Sequence, residues 1–216
     1  MSRRLGILGT GGLAPEVLLV AQRVNDVERH WDEFFLIGPD PSSVPNGLAY
    51  GGSDAEILEE TFECDIAVGI GDPKVRALAV APYLAQEPRF GFPTLIHPRA
   101  VIEAAIDRIQ LGRGNVICAG SVFTCDVRVG DFNHFNLNTT VGHGSVIGSY
   151  NVINPGSNLS GGVTIGNRVL IGTGVQILEG LQVSDNATVG AGALVNRPVS
   201  ADDTVVGVPA RSLERR

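Results

Sequence analysis

Basic residues are scarce in this chain. Lys74 is the only lysine, and sixteen lysines and arginines stand against twenty-three aspartates and glutamates, a formal charge of −7. A nucleic-acid partner wants a basic face, so none is expected. Long apolar runs are missing as well: no stretch of about 18 residues could cross a membrane. Cysteine is sparse. Cys64, Cys118 and Cys125 are odd in number and lack metal-ligand spacing, so neither a disulfide framework nor a metal site is expected, and a reducing cytoplasm is the default compartment. The opening Met1-Ser2-Arg3-Arg4 is basic, but Gly6 and Gly9 interrupt the apolar residues after it, and no signal peptide is expected.

Glycine is abundant at 28 residues, and a repeat explains most of the excess. Every sixth residue from Leu111 to Val195 is large and apolar, fifteen positions without an insertion. At the observed 44% hydrophobic content, chance would produce this in about one trial in 10⁴ to 10⁵. The next residue is nearly always small or turn-prone: Gly112, Gly130, Gly142 and Gly148 are examples, and Leu178 is the bulky exception. A period of six matches neither a helix nor one long strand. It fits a short extended run followed by a corner, where glycine or asparagine tolerates positive φ. Such a unit cannot bury its apolar residue alone, so successive units must stack into a solenoid.

The first half reads differently. A strand over residues 4–12 closes on Gly9-Thr10-Gly11-Gly12-Leu13-Ala14, a G-x-G-x-x-G/A turn, with Pro15 at a helix start. A helix over 15–24, a strand over 33–40, a helix over 54–62, a strand over 65–71, a helix over 75–85 and a strand over 92–97 come next. This alternation predicts a small parallel sheet. The glycines serve either a diphosphate at the helix start or close packing of strand against helix. Asp40, beyond the second strand, suits a ribose or base contact or a surface turn. Asp72, Lys74 and Arg76 form a second loop at the carboxyl edge, where ligands of open α/β sheets collect. The two basic residues there could meet phosphate or simply be solvated. The expected division is 1–98 for this Rossmann-like α/β domain and 99–216 for the all-β repeat.

The repeat resembles the hexapeptide-repeat acyltransferases, left-handed parallel β-helices with three hexapeptides per coil, which implies five coils. Their left hand runs against the usual rule for parallel crossovers. The glycine turn, the Gly71-Asp72-Pro73-Lys74-Val75-Arg76 loop and Thr94-Leu95-Ile96-His97-Pro98 sharpen the resemblance. Together they are similar to the nucleotide-sugar acyltransferases that include sialic-acid O-acetyltransferases and the bacillosamine-pathway N-acetyltransferase. This implies a nucleotide-sugar acceptor held by the N-terminal domain and acetyl-CoA, or another acyl-CoA, as co-substrate, with no metal. The family commonly has His where Leu13 stands.

Acyl transfer from a thioester needs a base, an oxyanion donor and aligned substrates. The segment from Asn136 to His143 matches the region around the family's catalytic histidine. The resemblance therefore implies His143 as base and Asn136 as an acceptor contact. On the residues alone, His143 could equally be an exposed corner histidine. His134, half a coil away, is read as structural. Coil arithmetic places Cys125 and Gly161 eighteen residues to either side of His143. Cys125 is read as packing, and the resemblance assigns the Gly161 N–H to the thioester carbonyl. Val206-Gly207-Val208-Pro209-Ala210-Arg211 matches the family's closing element, which implies that Pro209, Ala210 and Arg211 contact the CoA nucleotide; Arg168 is a further candidate. Two departures are Gly144, where the family has Asp or Glu, and Val152, where some members have a second histidine. They motivate one alternative, a non-catalytic trimeric nucleotide-sugar-binding protein; within the enzyme class, an acyltransferase for another small acceptor is a second. A flat-sided prism with shared sites implies a homotrimer. Sedimentation at micromolar concentration should show three chains per particle; a monomer would remove the basis for an active site between subunits.

Overall fold

The computed structural model describes residues 3–103 and 108–213, so the outermost ends of both expected domains lie outside it. The N-terminal part runs β1 (Arg4–Leu8), α1 (Leu13–Val27), β2 (Glu33–Ile37), β3 (Tyr50–Gly52), α2 (Asp54–Glu59), β4 (Cys64–Val68), α3 (Pro73–Leu84) and β5 (Phe90–Gly91). All pairings are parallel, in the order β3-β2-β1-β4-β5. Leu5, Ile7, Leu8, Ile66, Ala67 and Val68 are buried, the continuous apolar run of a strand covered on both faces. The order reverses between β1 and β4, which makes their carboxyl ends the switch point.

Three local readings need correction. The helix expected over 54–62 ends at Glu59, opened by a reciprocal Ser53–Glu56 capping box. β3 is too short and glycine-rich to carry a periodic signal, and the ring of Phe35 occupies the space a side chain on Gly51 would need. The strand expected over 92–97 is split. Phe90–Gly91 closes the first sheet, whereas Leu95–Ile96 pairs with Val116–Ile117 as a rung of the second architecture. That rung precedes the division expected after residue 98.

From there the chain is a left-handed parallel β-helix. Each of the fifteen apolar positions is the second residue of a two-residue strand, and each strand pairs with the one 18 residues away. Three sheets of eight, six and five strands form the sides. Leu95–Ile96 and Val101–Ile102 extend the five expected coils at one end, and Thr204–Val206 extends them at the other. The frame slips there: nine residues, not six, separate Ile102 from Leu111.

The corners also sit elsewhere than expected. Positive φ falls three residues after each apolar position except Val195, at every sixth residue from Gly114 to Gly192. The glycine directly after the apolar residue answers a different need. A Cβ on Gly148 would lie 2.5 Å from the Gly166 carbonyl oxygen of the next coil. Two of the three edges carry glycine at the left-handed position from Gly144 onward: Gly144, Gly162 and Gly180 on one, Gly156, Gly174 and Gly192 on the next. The third edge carries Phe132, Tyr150, Arg168 and Asn186. Beside that third edge the buried Asn115, Asn133 and Asn151 form a ladder, each Oδ1 accepting a backbone N–H 18 residues on at 2.7–2.9 Å.

The two parts share one apolar core. Leu5, Ile7, Val17 and Ala21 pack in a cluster with Leu95, Val116 and Cys118 of the β-helix. Between the buried Val116 and Val152 lies His134, fully buried as well. Its Nε2 is 3.8 Å from the Cys118 sulfur, and its Nδ1 has no partner among the described residues. Burial, aided by the nearby Arg76 charge, pushes its pKa down to about 3. An unfolded histidine takes up a proton near pH 6.5 and this one does not, so stability is complete above that pH and declines on acidification toward pH 3. Between pH 8 and pH 5 His134 should remove about 2 kcal/mol. Denaturant midpoints for wild type and His134→Leu at these two pH values test this, since the leucine variant should lack that component.

Candidate active site

Two loops meet at the switch point, one after β1 and one after β4. Gly9 is required by the fold itself: its φ is +107°, and a Cβ would stand 3.0 Å from the Gly69 carbonyl oxygen. Gly69 in turn lets α1 approach closely, with Ala14 Cβ only 2.8 Å from where a side chain would begin. Gly11 and Gly12 have neither reason. Neither has positive φ, and a Cβ on either would meet nothing within 4 Å. The fold leaves this surface bare rather than filling it. α1 begins at Gly12 without a side-chain cap. The N–H groups of Gly11, Gly12 and Leu13 have no acceptor among the described residues. Free N–H groups at a helix start suit an anion.

α3 starts differently. Asp72 is its N-cap, and one carboxylate oxygen accepts from the Lys74 and Val75 N–H groups at 2.8 and 2.9 Å. Asp72, expected as an acceptor contact, is thus also the cap of α3. Lys74 is exposed at the same edge. Arg76 lies deeper than its expected place on the loop surface. It is fully buried, donating from Nε to the Phe132 carbonyl (2.7 Å) and from Nη1 to the Ile70 carbonyl (2.8 Å). It therefore bridges the two architectures and does not reach a ligand. Asp40 is exposed beyond β2 and caps a short 3₁₀ turn, Pro41–Ser43. The Ser42 hydroxyl donates to its carboxylate and lowers its pKa.

In the β-helix, Cys125, His143 and Gly161 occupy one edge on successive coils. The Gly144 N–H donates to the Cys125 carbonyl (3.0 Å), and the Gly162 N–H to the His143 carbonyl (2.7 Å). The imidazole lies across the next coil: a Cβ on Gly161 would be 2.5 Å from His143 Nε2 and 2.6 Å from Cε1. Glycine at 161 is therefore what permits this ring position. The Gly161 N–H has no acceptor among the described residues, and the exposed imidazole has no hydrogen-bond or ion-pair partner among them either. Gly144 has φ +69°. An acid there would need a left-handed conformation, as Asp126 of the same edge already adopts.

The tail reaches this edge too. Arg211–Ser212 folds back antiparallel on Val205–Val206, and the Ala210 N–H donates to the Leu194 carbonyl at 2.7 Å. Arg211 Nη1 reaches its own Ala210 carbonyl at 2.6 Å and Asn196 Oδ1 at 3.4 Å. Asn196 lies 53 residues after His143, three turns of 18 less one. Pro209 is exposed beside them. Asn136 and Arg168 stand at the other two edges. Asn136 is 7% exposed, its Oδ1 accepting the Leu137 N–H and its carbonyl accepting the Ser121 and Thr139 hydroxyls. Arg168 donates from Nε to Asn186 Oδ1 at 2.8 Å. Within one chain, then, His143 and Gly161 come together, Arg211 lies further along the same edge, and Asn136 and Arg168 stand elsewhere.

Solved structures match this arrangement over nearly the whole chain. The acetyltransferase domain of PglB from Neisseria gonorrhoeae is 28% identical, with a TM-score of 0.89 over 98% of this chain and all of that one. It has also been solved in complex with acetyl coenzyme A. A histidine-to-asparagine variant of perosamine N-acetyltransferase from Caulobacter crescentus, in complex with CoA and GDP-perosamine, is 26% identical (TM-score 0.86, covering 98% of this chain and 97% of that one). WeeI from Acinetobacter baumannii is 26% identical (TM-score 0.85, 98% and 100%). No protein-family model and no curated protein matches the sequence. The chain thus shares the left-handed β-helix fold of these acetyltransferases, and an acyltransferase is the class of enzyme it resembles. Its likeness is to the sugar N-acetyltransferases within that class, over both halves of the chain.

Since nothing in the fold requires glycine at 11, Gly11→Val should leave the unfolding temperature within a degree or two of wild type. It should abolish nucleotide-sugar binding while acyl-CoA affinity stays unchanged. Unchanged nucleotide-sugar affinity by calorimetry would show that the turn is merely structural.

Proposed function

We propose that the protein transfers an acyl group, most simply acetyl from acetyl-CoA, directly to an amino or hydroxyl group of a nucleotide-linked sugar. The observation that carries this reading is the pairing of His143 with Gly161: an exposed imidazole laid against a free backbone N–H. Acyl-CoA and sugar-nucleotide complexes of the similar proteins support it. The diphosphate of the acceptor would meet the N–H groups of Gly11, Gly12 and Leu13, with Lys74 beside them and Asp40 toward the ribose.

In this mechanism His143 Nε2 accepts the proton of the acceptor's N–H or O–H as its lone pair attacks the thioester carbonyl. The Gly161 N–H donates to the oxygen on which negative charge develops, and the absence of a side chain there lets the carbonyl approach. Collapse breaks the carbon–sulfur bond, and the thiolate takes a proton from the imidazolium as it leaves as CoA. No covalent enzyme intermediate is needed, because the thioester is already activated. Coils rise by about 4.8 Å each, so the acyl-CoA would run along the His143 edge toward Ala210 and Arg211, whose guanidinium suits a nucleotide phosphate. Asn136 and Arg168 would join the site only from a neighbouring chain, which is why the proposal includes a homotrimer. No helix among the described residues is long and apolar enough to cross a membrane, and a cytoplasmic setting is part of the same reading.

His143→Ala should keep the assembly and both ligand affinities and lower turnover by about 10²–10⁴-fold, with free thiol as the readout across a panel of nucleotide sugars. Gly144→Glu should strain the corner by about 1 kcal/mol and raise the rate by orienting the imidazole. Equal thiol release by wild type and His143→Ala, with a cognate acceptor bound, would exclude the histidine as base. Silence from both across the panel would favour the binding-protein alternative.

A further inference from the structure

Behind the two loops at the switch point lies a buried cation with no partner of opposite sign. Arg76 is fully buried, and both hydrogen bonds it makes go to neutral backbone carbonyls, of Phe132 and Ile70. Its Nη2 meets no acceptor, and no carboxylate among the described residues pairs with it. The ionisable groups around it do not neutralise it. Burial raises the Cys118 thiol to about 12 and lowers His134 to about 3, so both are uncharged at neutral pH. Burial lowers Arg76 itself to about 9, which leaves it charged. An uncompensated charge in a protein interior is costly, and an apolar side chain of similar length would pack α3 against the β-helix at less cost. Packing alone does not account for an arginine here.

The peptide geometry does. The Ile70 carbonyl is turned inward onto the guanidinium. Across a trans peptide the following N–H points the opposite way, so the Gly71 N–H is directed outward at the carboxyl edge of the sheet. That N–H has no acceptor among the described residues. Gly71 also lies beside the open start of α1, since a Cβ on it would meet only Leu13 Cδ2, at 3.8 Å. Four free donors, on Gly11, Gly12, Leu13 and Gly71, therefore share one edge, with the Arg76 charge behind it.

We propose that Arg76 is a positioning residue for the diphosphate of the acceptor: it turns the Gly71 N–H outward to join those of α1, and its unneutralised charge attracts the anion from inside the protein without touching it. This rests on the reading of the edge as the nucleotide-sugar site. The sequence pattern alone also points Arg76 toward phosphate, as a direct contact; the structure replaces contact by orientation and field.

The test compares wild type, Arg76→Met and Arg76→Lys for binding of UDP, GDP and the parent nucleosides, by calorimetry and by competition. Arg76→Met should weaken the bound nucleoside diphosphate by tenfold or more and leave the nucleoside unchanged; Arg76→Lys, which keeps the charge but cannot span both carbonyls, should fall between. A structural role alone would weaken diphosphate and nucleoside together, and that result, or wild-type diphosphate affinity in Arg76→Met, overturns the proposal. If Arg76→Met does not fold, Arg76→Lys decides by the same comparison: selective loss for the diphosphate supports the role, equal loss or none removes it. Failure of the wild type to bind either diphosphate would instead remove the nucleotide-site reading, and this role with it.

Discussion

The pairing of each residue with the one 18 positions on, through backbone hydrogen bonds to its neighbours 17 and 19 away, is the constraint on which the β-helix depends. Each coil satisfies its backbone groups on the coils before and after it, so a solenoid with two-residue strands loses almost nothing to unpaired donors. The spacing also transmits position along the chain. His143 lies against Gly161 because both sit at one phase of an uninterrupted ladder, and a one-residue insertion between them would send the imidazole to a different face. The same ladder explains why the asparagines at 115, 133 and 151 can be buried: each side chain stands in for a backbone acceptor that the tight third edge cannot supply.

The architecture is largely legible in the sequence because its signal is collective. Fifteen positions at one period outweigh any local ambiguity, and all fifteen occupy equivalent places in the sheets. What the period does not show is the phase of the corner. The small residue after each apolar one reads as the left-handed position, whereas steric exclusion by the next coil selects glycine there, and the turn comes two residues later. Both demands favour glycine, so composition cannot separate them. Rungs beyond the strict frame, such as Leu95–Ile96, escape notice because the period breaks before Leu111.

In the site, the residues of the His143 edge follow from coil arithmetic, and those of the first loop from the glycine turn. Arg76 does not. A basic residue after a strand-end glycine invites a surface reading, yet its spacing tells otherwise: Arg76, Val80 and Tyr83 recur at helical intervals and are all buried. The helical period, applied to a charged residue as strictly as to apolar ones, turns it inward. The cap made by Asp72 is hidden for a different reason, because a capping aspartate and a ligand-binding one look alike in sequence. The structure separates the two helix starts at the switch point: one is closed by its own carboxylate, and the other stays open.

The unequal edges of the prism carry a consequence for how this protein can change. On the third edge, Phe132, Tyr150, Arg168 and Asn186 show that the left-handed corner accepts aromatic, cationic and amide side chains. The glycines of the other two edges give the unfolded chain extra freedom that folding must remove, but they spare the left-handed strain a side chain would carry. At Gly156, Gly162, Gly174, Gly180 and Gly192, whose φ lies near +70°, a side chain would add strain of about 1 kcal/mol that offsets the entropy gained. Those same replacements would put side chains along two edges now open to approach, one of them the edge of His143. An unstrained corner and access to the imidazole are thus served by the same glycines, whereas the third edge accepts the strain together with its larger side chains.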